Sequence, residues 1–475
     1  MTMNILSGTR LLALALSMIG HAHGQILTFV DSLQFSSAQI WGVCSDAGDS
    51  LCVTTVFSPS SRPHIFMRKV NYSVISQQSP PVQLTFDVDF AAIPNLTDHK
   101  TVILNDQIYI SFSTQGDRDL FLFKTDINGN RIGSIVTVVS GSADPTNDMI
   151  LTTDGSYIYV LHFDPPSQHH VYKFNSNLNA VGSPISTTTL MHNNIGHSVY
   201  RNSIFHLFTG STFGFNSSLT HTKWNSSWGA ISSQNILGST GGDGNFFSTG
   251  AIFDSTNQRW YIALNHIYAG QSIGQEHIDL LAYDSNFNLL ERKHVTTENY
   301  TRPHLVQKGG HLYMTYDRPG VGVYLRRYQV SGPVAYCTAG TSSGGCVPEI
   351  SGLGTPSIAA SSGFNISVAP VPGQKQGLFF YGTNGRMNTP WATGSSSVLC
   401  VKSPTSRTQQ QNSGGTSGCD GTLSIDWLSF IASHPGLLGT PTTAGQVVDA
   451  QAWYRDPAAV KSTNLSAGLE FTMLP

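Results

Sequence analysis

The chain has 475 residues, with 25 Lys and Arg against 28 Asp and Glu, and a formal net charge of −3. This near-balance exerts no global pull toward nucleic acid or an anionic membrane surface. With 40% apolar and 11% charged residues the chain is too apolar for disorder, while its 46 glycines and scarce helical periodicity point to short strands and tight turns.

Residues 1–24 read as a signal peptide. Arg10 closes a short polar start, Leu11 to Ile19 is apolar, and Ala22-His23-Gly24 supplies small residues before a cleavage at Gln25. A membrane anchor would need roughly 20 apolar residues, and no later stretch is long and apolar enough to cross a bilayer. Secretion is therefore expected, and with it disulfides. Local pairing predicts Cys44 with Cys52, Cys337 with Cys346, and Cys400 with Cys419.

An internal repeat organises the next three hundred residues. His64 to Asn71, Asp119 to Asp126, Gln168 to Asn175 and His277 to Asp284 align without gaps, each an apolar strand ending in Asn or Asp. That last residue opens a turn, as in Asp126-Ile-Asn-Gly and Asp284-Ser-Asn-Phe, and Asn216-Ser-Ser-Leu is a weaker copy. Upstream of each strand, a polar cluster leads into another strand, a tight turn and an aromatic-rich strand. These clusters begin at residues 98, 147, 197, 245 and 302, and Trp41 begins an earlier copy.

Four strands per copy, repeated six times, is the arithmetic of a six-bladed β-propeller over residues 25–332. A β-sandwich is the competing architecture. Ile26 to Phe35 precedes the first inner strand and is predicted to close the ring as the outer strand of the last blade. The propeller resembles no specific enzyme family.

Past Gly332 the repeat stops. Residues 333–475 are richer in Ser, Gly, Thr and Pro and predict a small disulfide-containing, sandwich-like β-module. Tyr336-Cys337, Gly377-Leu-Phe-Phe-Tyr-Gly382, Val447-Val-Asp-Ala-Gln451 and Leu469-Glu-Phe-Thr carry a resemblance to a C-terminal module of secreted bacterial proteins. The resemblance implies a setting and an architecture, with no enzymatic role attached.

In a propeller, strands A to D run outward from the axis. The D–A and B–C loops share one face, and the A–B and C–D hairpins share the other. Ten of the fifteen histidines after residue 24 fall on the D–A/B–C face. Asp98, Asp148, His197, Asp243, Arg302 and His304 are the candidate catalytic residues, because inner-strand starts on one face converge at the channel mouth. Arg62, His99, Arg118, His192, Asn245 and Arg318 are the candidate substrate-binding residues. His162, His169, His170 and His277 offer donors for a divalent metal.

Signature motifs are lacking. Gly340-Thr-Ser342-Ser-Gly344 matches a nucleophile elbow but sits in a small-residue loop between cysteines, with no strand before it or helix after it. The sialidase aspartate box is absent. A secreted carbohydrate-active enzyme on a polysaccharide is the leading reading. As a hydrolase it would pair carboxylates among Asp98, Asp148 and Asp243. As a lyase it would use His197 or His304 as base beside a uronate carboxylate neutralised by Arg302. The alternative is a lectin-like propeller that holds glycan without turning it over.

Overall fold

The computed structural model describes residues 26–35, 39–57, 63–86, 96–114, 119–141, 149–164, 168–187, 196–210, 218–238, 243–268, 275–296, 301–318 and 320–475. The expected signal peptide lies outside the described residues.

The chain opens with β1 (Leu27–Gln34). Blade 1 follows as β2 (Gln39–Asp46), β3 (Ser50–Phe57), β4 (His64–Asn71) and β5 (Val82–Gln83). Blade 2 is β6 (Leu96–Leu104), β7 (Gln107–Thr114), β8 (Leu120–Asp126) and β9 (Val136–Val139). Blade 3 is β10 (Met149–Thr153), β11 (Ile158–Asp164), β12 (Gln168–Phe174) and β13 (Ile185–Thr187). Blade 4 is β14 (His197–Arg201), β15 (Ile204–Gly210), β16 (Ser218–Trp224) and β17 (Ala230–Gly238). Blade 5 is β18 (Asp243–Asp254), β19 (Arg259–Tyr268), β20 (His277–Asp284) and β21 (Leu289–His294). Blade 6 takes β22 (Thr301–Lys308), β23 (His311–Arg318) and β24 (Gly322–Val330), with β1 as its outer strand.

The expected ring closure is present: β1 runs antiparallel to β24 from Leu27↔Val330 to Gln34↔Tyr324. The inner strands touch in cyclic order, β2 to β6 to β10 to β14 to β18 to β22 and back to β2. Each adjacent pair of blades shares its own apolar cluster, so the core is six wedges around an axis. Between blades 1 and 2, for example, Met67 and Ile65 meet Ile110 and Phe123. Second and third strands are buried on both faces by the neighbouring blades. They therefore read as continuous apolar runs, whereas outer β1 is mostly exposed.

The C–D hairpins explain the recurrent Asn and Asp. Asp126 Oδ1 accepts from the Asn128 and Asn130 amides, Asn175 Oδ1 from Asn177 and Asn179, and Asp284 Oδ1 from Asn286 and Asn288. Three residues on, Gly129, Leu178 and Phe287 all take positive φ. Blade 4 has the same turn at Asn225, with Trp228 at φ 60°. Asn216, expected to open that turn, lies outside the described residues; β16 ends at Trp224, so the turn belongs to Asn225.

The module after Gly332 contains β25 (Val334–Tyr336), β26 (Glu349–Leu353), β27 (Asn365–Val371), β28 (Gln376–Gly382), β29 (Arg386–Pro390) and β30 (Val398–Val401). It continues with β31 (Ser406–Arg407), β32 (Gln411–Asn412), β33 (Gly421–Asp426), α1 (Trp427–Ser433), β34 (Val447–Arg455) and β35 (Thr463–Thr472). A six-stranded sheet, β25-β35-β34-β28-β31 with β32 also on β28, faces the three-stranded sheet β26-β27-β33. Their shared core includes Ile366, Val368, Phe379, Tyr381, Leu423 and Trp427. Asp426 starts α1 by accepting from the Ser429 amide.

The expected cysteine pairing is overturned. The disulfides are Cys337–Cys400 and Cys346–Cys419, while Cys44 and Cys52 are free and buried. Register explains the free pair. Cys44 lies opposite Val53 and Cys52 opposite Ser45, so the two thiols are one step out of phase and point to opposite faces of blade 1. Cys44 packs against blade 6 and Cys52 against blade 2. In the module, Cys337, just past β25, is bridged to Cys400 in β30, and Cys346 and Cys419 tie together two loops far apart in sequence.

Candidate functional site

The site forms where inner strands of blades 2, 4 and 6 begin. Asp98 and Lys100 stand two apart on β6, so the pleat sends both to the same side, and both are buried. Lys100 Nζ lies 3.3 Å from Asp98 Oδ2, and Arg302 Nη1 of blade 6 reaches within 3.8 Å of Asp98 Oδ1. His99, on the other side of β6, bonds Thr54 of blade 1 through Nε2 at 2.9 Å, and its amide donates to Asp98 Oδ1. His197 of blade 4 and His304 of blade 6 face each other with ring centroids 6.4 Å apart. Asp317, across from Thr301 in blade 6, accepts from the Thr301 hydroxyl at 2.9 Å.

The strand starts are irregular here. Register shifts interrupt β2, β6, β18 and β22 at this end, in each case beside the axis. A bulge re-aims the side chains that follow it. Arg302 sits inside one such bulge with φ of 55°, the left-handed region that a bulky side chain seldom adopts. Gly250 of blade 5 makes the adjoining approach possible, because a Cβ there would lie 2.6 Å from the Pro303 carbonyl oxygen and 3.0 Å from His304 Cα.

Burial and charge divide the titratable groups. Burial alone would raise the Asp98 carboxyl, but Lys100, Arg302 and His99 outweigh it and hold Asp98 below the usual carboxylate range. Burial pushes Asp317 up to about 6, with Arg302 and the Thr301 hydrogen bond opposing and Asp98 adding to the rise. Burial, reinforced by Lys100, lowers His197 to about 4. His304 falls well below the ordinary histidine value through burial, then Lys100, His197, His99 and Arg302. His99 is lowered to about 4 by burial against the pull of Asp98. The mouth therefore gathers Lys100 and Arg302, an ionised Asp98, an Asp317 carboxyl whose midpoint is raised to about 6, and three imidazoles that are neutral at pH 7.

Of the sequence candidates, the structure brings Asp98, His99, His197, Arg302 and His304 together. Lys100 and Asp317 complete the group. Lys100 could have been singled out from the run Asp98-His99-Lys100, three polar residues where an inner strand otherwise carries apolar ones. Asp148, Arg62, Arg118 and His192 lie outside the described residues, as do the side chains of Asp243 and Asn245. Arg318 is at the far end of β23 on the same face, partly buried.

The register separates the four histidines offered for a metal. His162 pairs with His170, but His169 alternates to the other face of β12, and His277 stands in blade 5 beside His266. Among the described residues no group of three or more His, Cys, Asp or Glu is placed to hold a metal ion. The face-wide concentration of histidine also has a local cause. His64, His99, His162, His169, His266 and His277 are buried beneath the face, and several tie strands together. His266 Nε2 lies 2.9 Å from Asp279 Oδ2, which also accepts from Arg292 Nε at 2.6 Å.

No family model matches the chain, and no curated protein matches it. Several solved structures are similar to it at low identity. The phage phi92 endosialidase is 11% identical over 64% of this chain and 69% of its own, with a TM-score of 0.43. The SapL1 lectin in complex with α-methyl fucoside is 11% identical over 63% and 95%, with a TM-score of 0.43. The exo-β-1,3-galactanase of Phanerochaete chrysosporium with β-1,3-galactotriose is 10% identical over 93% and 100%, with a TM-score of 0.39.

Proposed function

We propose that the protein is a secreted carbohydrate-active enzyme that cleaves an acidic polysaccharide by β-elimination at the propeller mouth. One observation carries this reading: two cations, Lys100 and Arg302, and two neutral imidazoles, His197 and His304, converge from three alternate blades. Lys100 and Arg302 would neutralise a uronate carboxylate, which acidifies the adjacent C–H bond. His197 or His304 takes that proton. The C–H electron pair forms the C=C bond as the glycosidic C–O bond breaks, and the imidazolium returns its proton to the leaving oxygen. The substrate carboxylate would also offset the cations that depress His304, making it a better base when the site is filled.

The carboxylate-pair alternative finds less support, because Lys100 and Arg302 hold Asp98 ionised and so ill suited to act as the general acid. A binding role would use the same pair, because burial lowers both imidazoles and a neutral imidazole hydrogen-bonds sugar hydroxyls without proton transfer. The deciding experiment incubates the mature protein with uronate-containing and neutral polysaccharides, following near-ultraviolet absorbance of unsaturated ends together with reducing ends. Parallel growth of both on uronate polymers alone is expected. Reducing ends without absorbance would mean hydrolysis, and binding without either product would leave a lectin.

A further inference from the structure

The second sheet face of the C-terminal module is apolar and only partly covered. On β28 and β34 the pleat sends Phe379, Tyr381, Ala452 and Tyr454 into the main core. Leu378, Phe380 and Trp453 therefore point to the opposite side, where Leu378 lies across from Trp453. The hairpin β29–β30 folds over that side only in part. Between them is a cleft of about 520 Å3, which Met387, Trp391, Leu399 and Val401 complete. Both tryptophans are half-buried. Trp391 is held in place by its Nε1–H, which donates to Thr463 Oγ1 at 3.0 Å.

The rim has one sign of charge. Arg407 and Lys461 line the cleft, and no acidic residue does. Arg455 adds a guanidinium 5.7 Å from the Trp453 ring, and Lys461 Nζ rests 3.7 Å over the Trp391 ring. Lys461 and Ser462 both adopt positive φ, at 66° and 53°, a strained pair that fixes where this ammonium starts. A purely apolar ligand would leave both cations unmatched, and a free anion would have no use for two indole faces.

We infer that this cleft is a second glycan site, taking an anionic pyranose chain whose C–H faces lie on Trp453 and Trp391 and whose acid groups meet Arg407 and Lys461. The choice of a saccharide rests on the reading of the propeller mouth. The site would hold an acidic polymer beside the propeller that acts on it.

Affinity electrophoresis of the full-length protein in gels containing polygalacturonate, chondroitin sulfate or dextran tests this, with thermal melts as folding controls. Carboxylate and sulfate polymers are separate arms because either acid group satisfies the two cations. Retardation by an acidic polymer and not by dextran is expected. The double variant Arg407→Ser with Lys461→Ser, both at exposed positions, should weaken it at least tenfold, and Trp453→Phe should weaken it less. Lys100→Met at the propeller mouth should leave the cleft-dependent part intact. If the double variant binds like the wild type while Lys100→Met abolishes retardation, the cleft proposal falls and the propeller reading stands. If the double variant alone abolishes it, the cleft stands without the propeller. Equal retardation by dextran, or none by either acidic polymer, overturns the cleft assignment.

Discussion

Asp317 and several buried histidines of the propeller make opposite contributions to acid stability. The folded pKa of Asp317, about 6, is above its unfolded value, so its contribution is full below about pH 4 and is lost as pH rises through 6. Asp317→Asn should therefore raise stability at pH 7, by about 2–3 kcal/mol for a shift of this size in a fully buried group, and lose that advantage by pH 4. His99, His197 and His206, lowered to about 4, and His221, lowered to about 3, behave the other way. Each contributes above its unfolded value near 6.5, and that contribution is lost as pH falls through the folded one. Melting temperature should fall from pH 6.5 to pH 4, because these four imidazoles and His304, lowered in the same way, together outweigh Asp317. A melt rising over that window would contradict the burial of these imidazoles. On the functional side, Lys100→Met or His197→Ala should cut turnover on an acidic polysaccharide on the order of a hundredfold. A loss that merely tracks the melting temperature would assign them to structure.

Among the elements, the hairpins opposite the mouth offer the control. Asp126→Ala or Asn175→Ala removes the acceptor for two turn amides and should cost about 1 kcal/mol while leaving turnover unchanged. The disulfides make a sharper statement. Non-reducing peptide mapping should recover Cys337–Cys400 and Cys346–Cys419 and no other bridge. Losing either should cost about 4 kcal/mol by loop entropy, since the bridges close sequence separations of 63 and 73 residues. Cys44 and Cys52, with thiols pushed up to about 11 chiefly by burial, should resist alkylation until the propeller unfolds. Modification of either in the native protein would place the first blade differently.

At the scale of the molecule, the two parts meet at the A–B turn of blade 5. The Thr256 carbonyl accepts from the Gly352 amide, and Asn257 Nδ2, held by Asp254, reaches the Pro333 carbonyl at 3.2 Å. Both bridges lie after Gly332, so proteolysis near that residue should release two folded pieces without reductant. Pieces that separate only after reduction would mean a bridge between the parts. Ring closure is the other whole-molecule device. Deleting β1 would strip blade 6 of its outer strand and expose the β24 edge, and should abolish cooperative melting of the propeller.

The repeat was legible in the chain because each blade must bury the same surfaces. Apolar runs at the second and third strands, Asn or Asp at the outer turns and polar clusters at the inner starts recur along the chain, and they determine blade number, closure by β1 and the face on which the titratable residues of the inner starts gather. Proximity in sequence could not decide which groups act together. The one-residue offset between Cys44 and Cys52 separates two thiols that look adjacent. The alternation of β12 scatters the histidines that resembled a metal set. Arg302 of blade 6 meets Asp98 of blade 2, and His197 of blade 4 meets His304 of blade 6, only where these blades come together at the axis. Spacing along a strand dictates local pattern, whereas partnership between side chains hundreds of residues apart is set by register and ring closure, which exist only in the folded molecule.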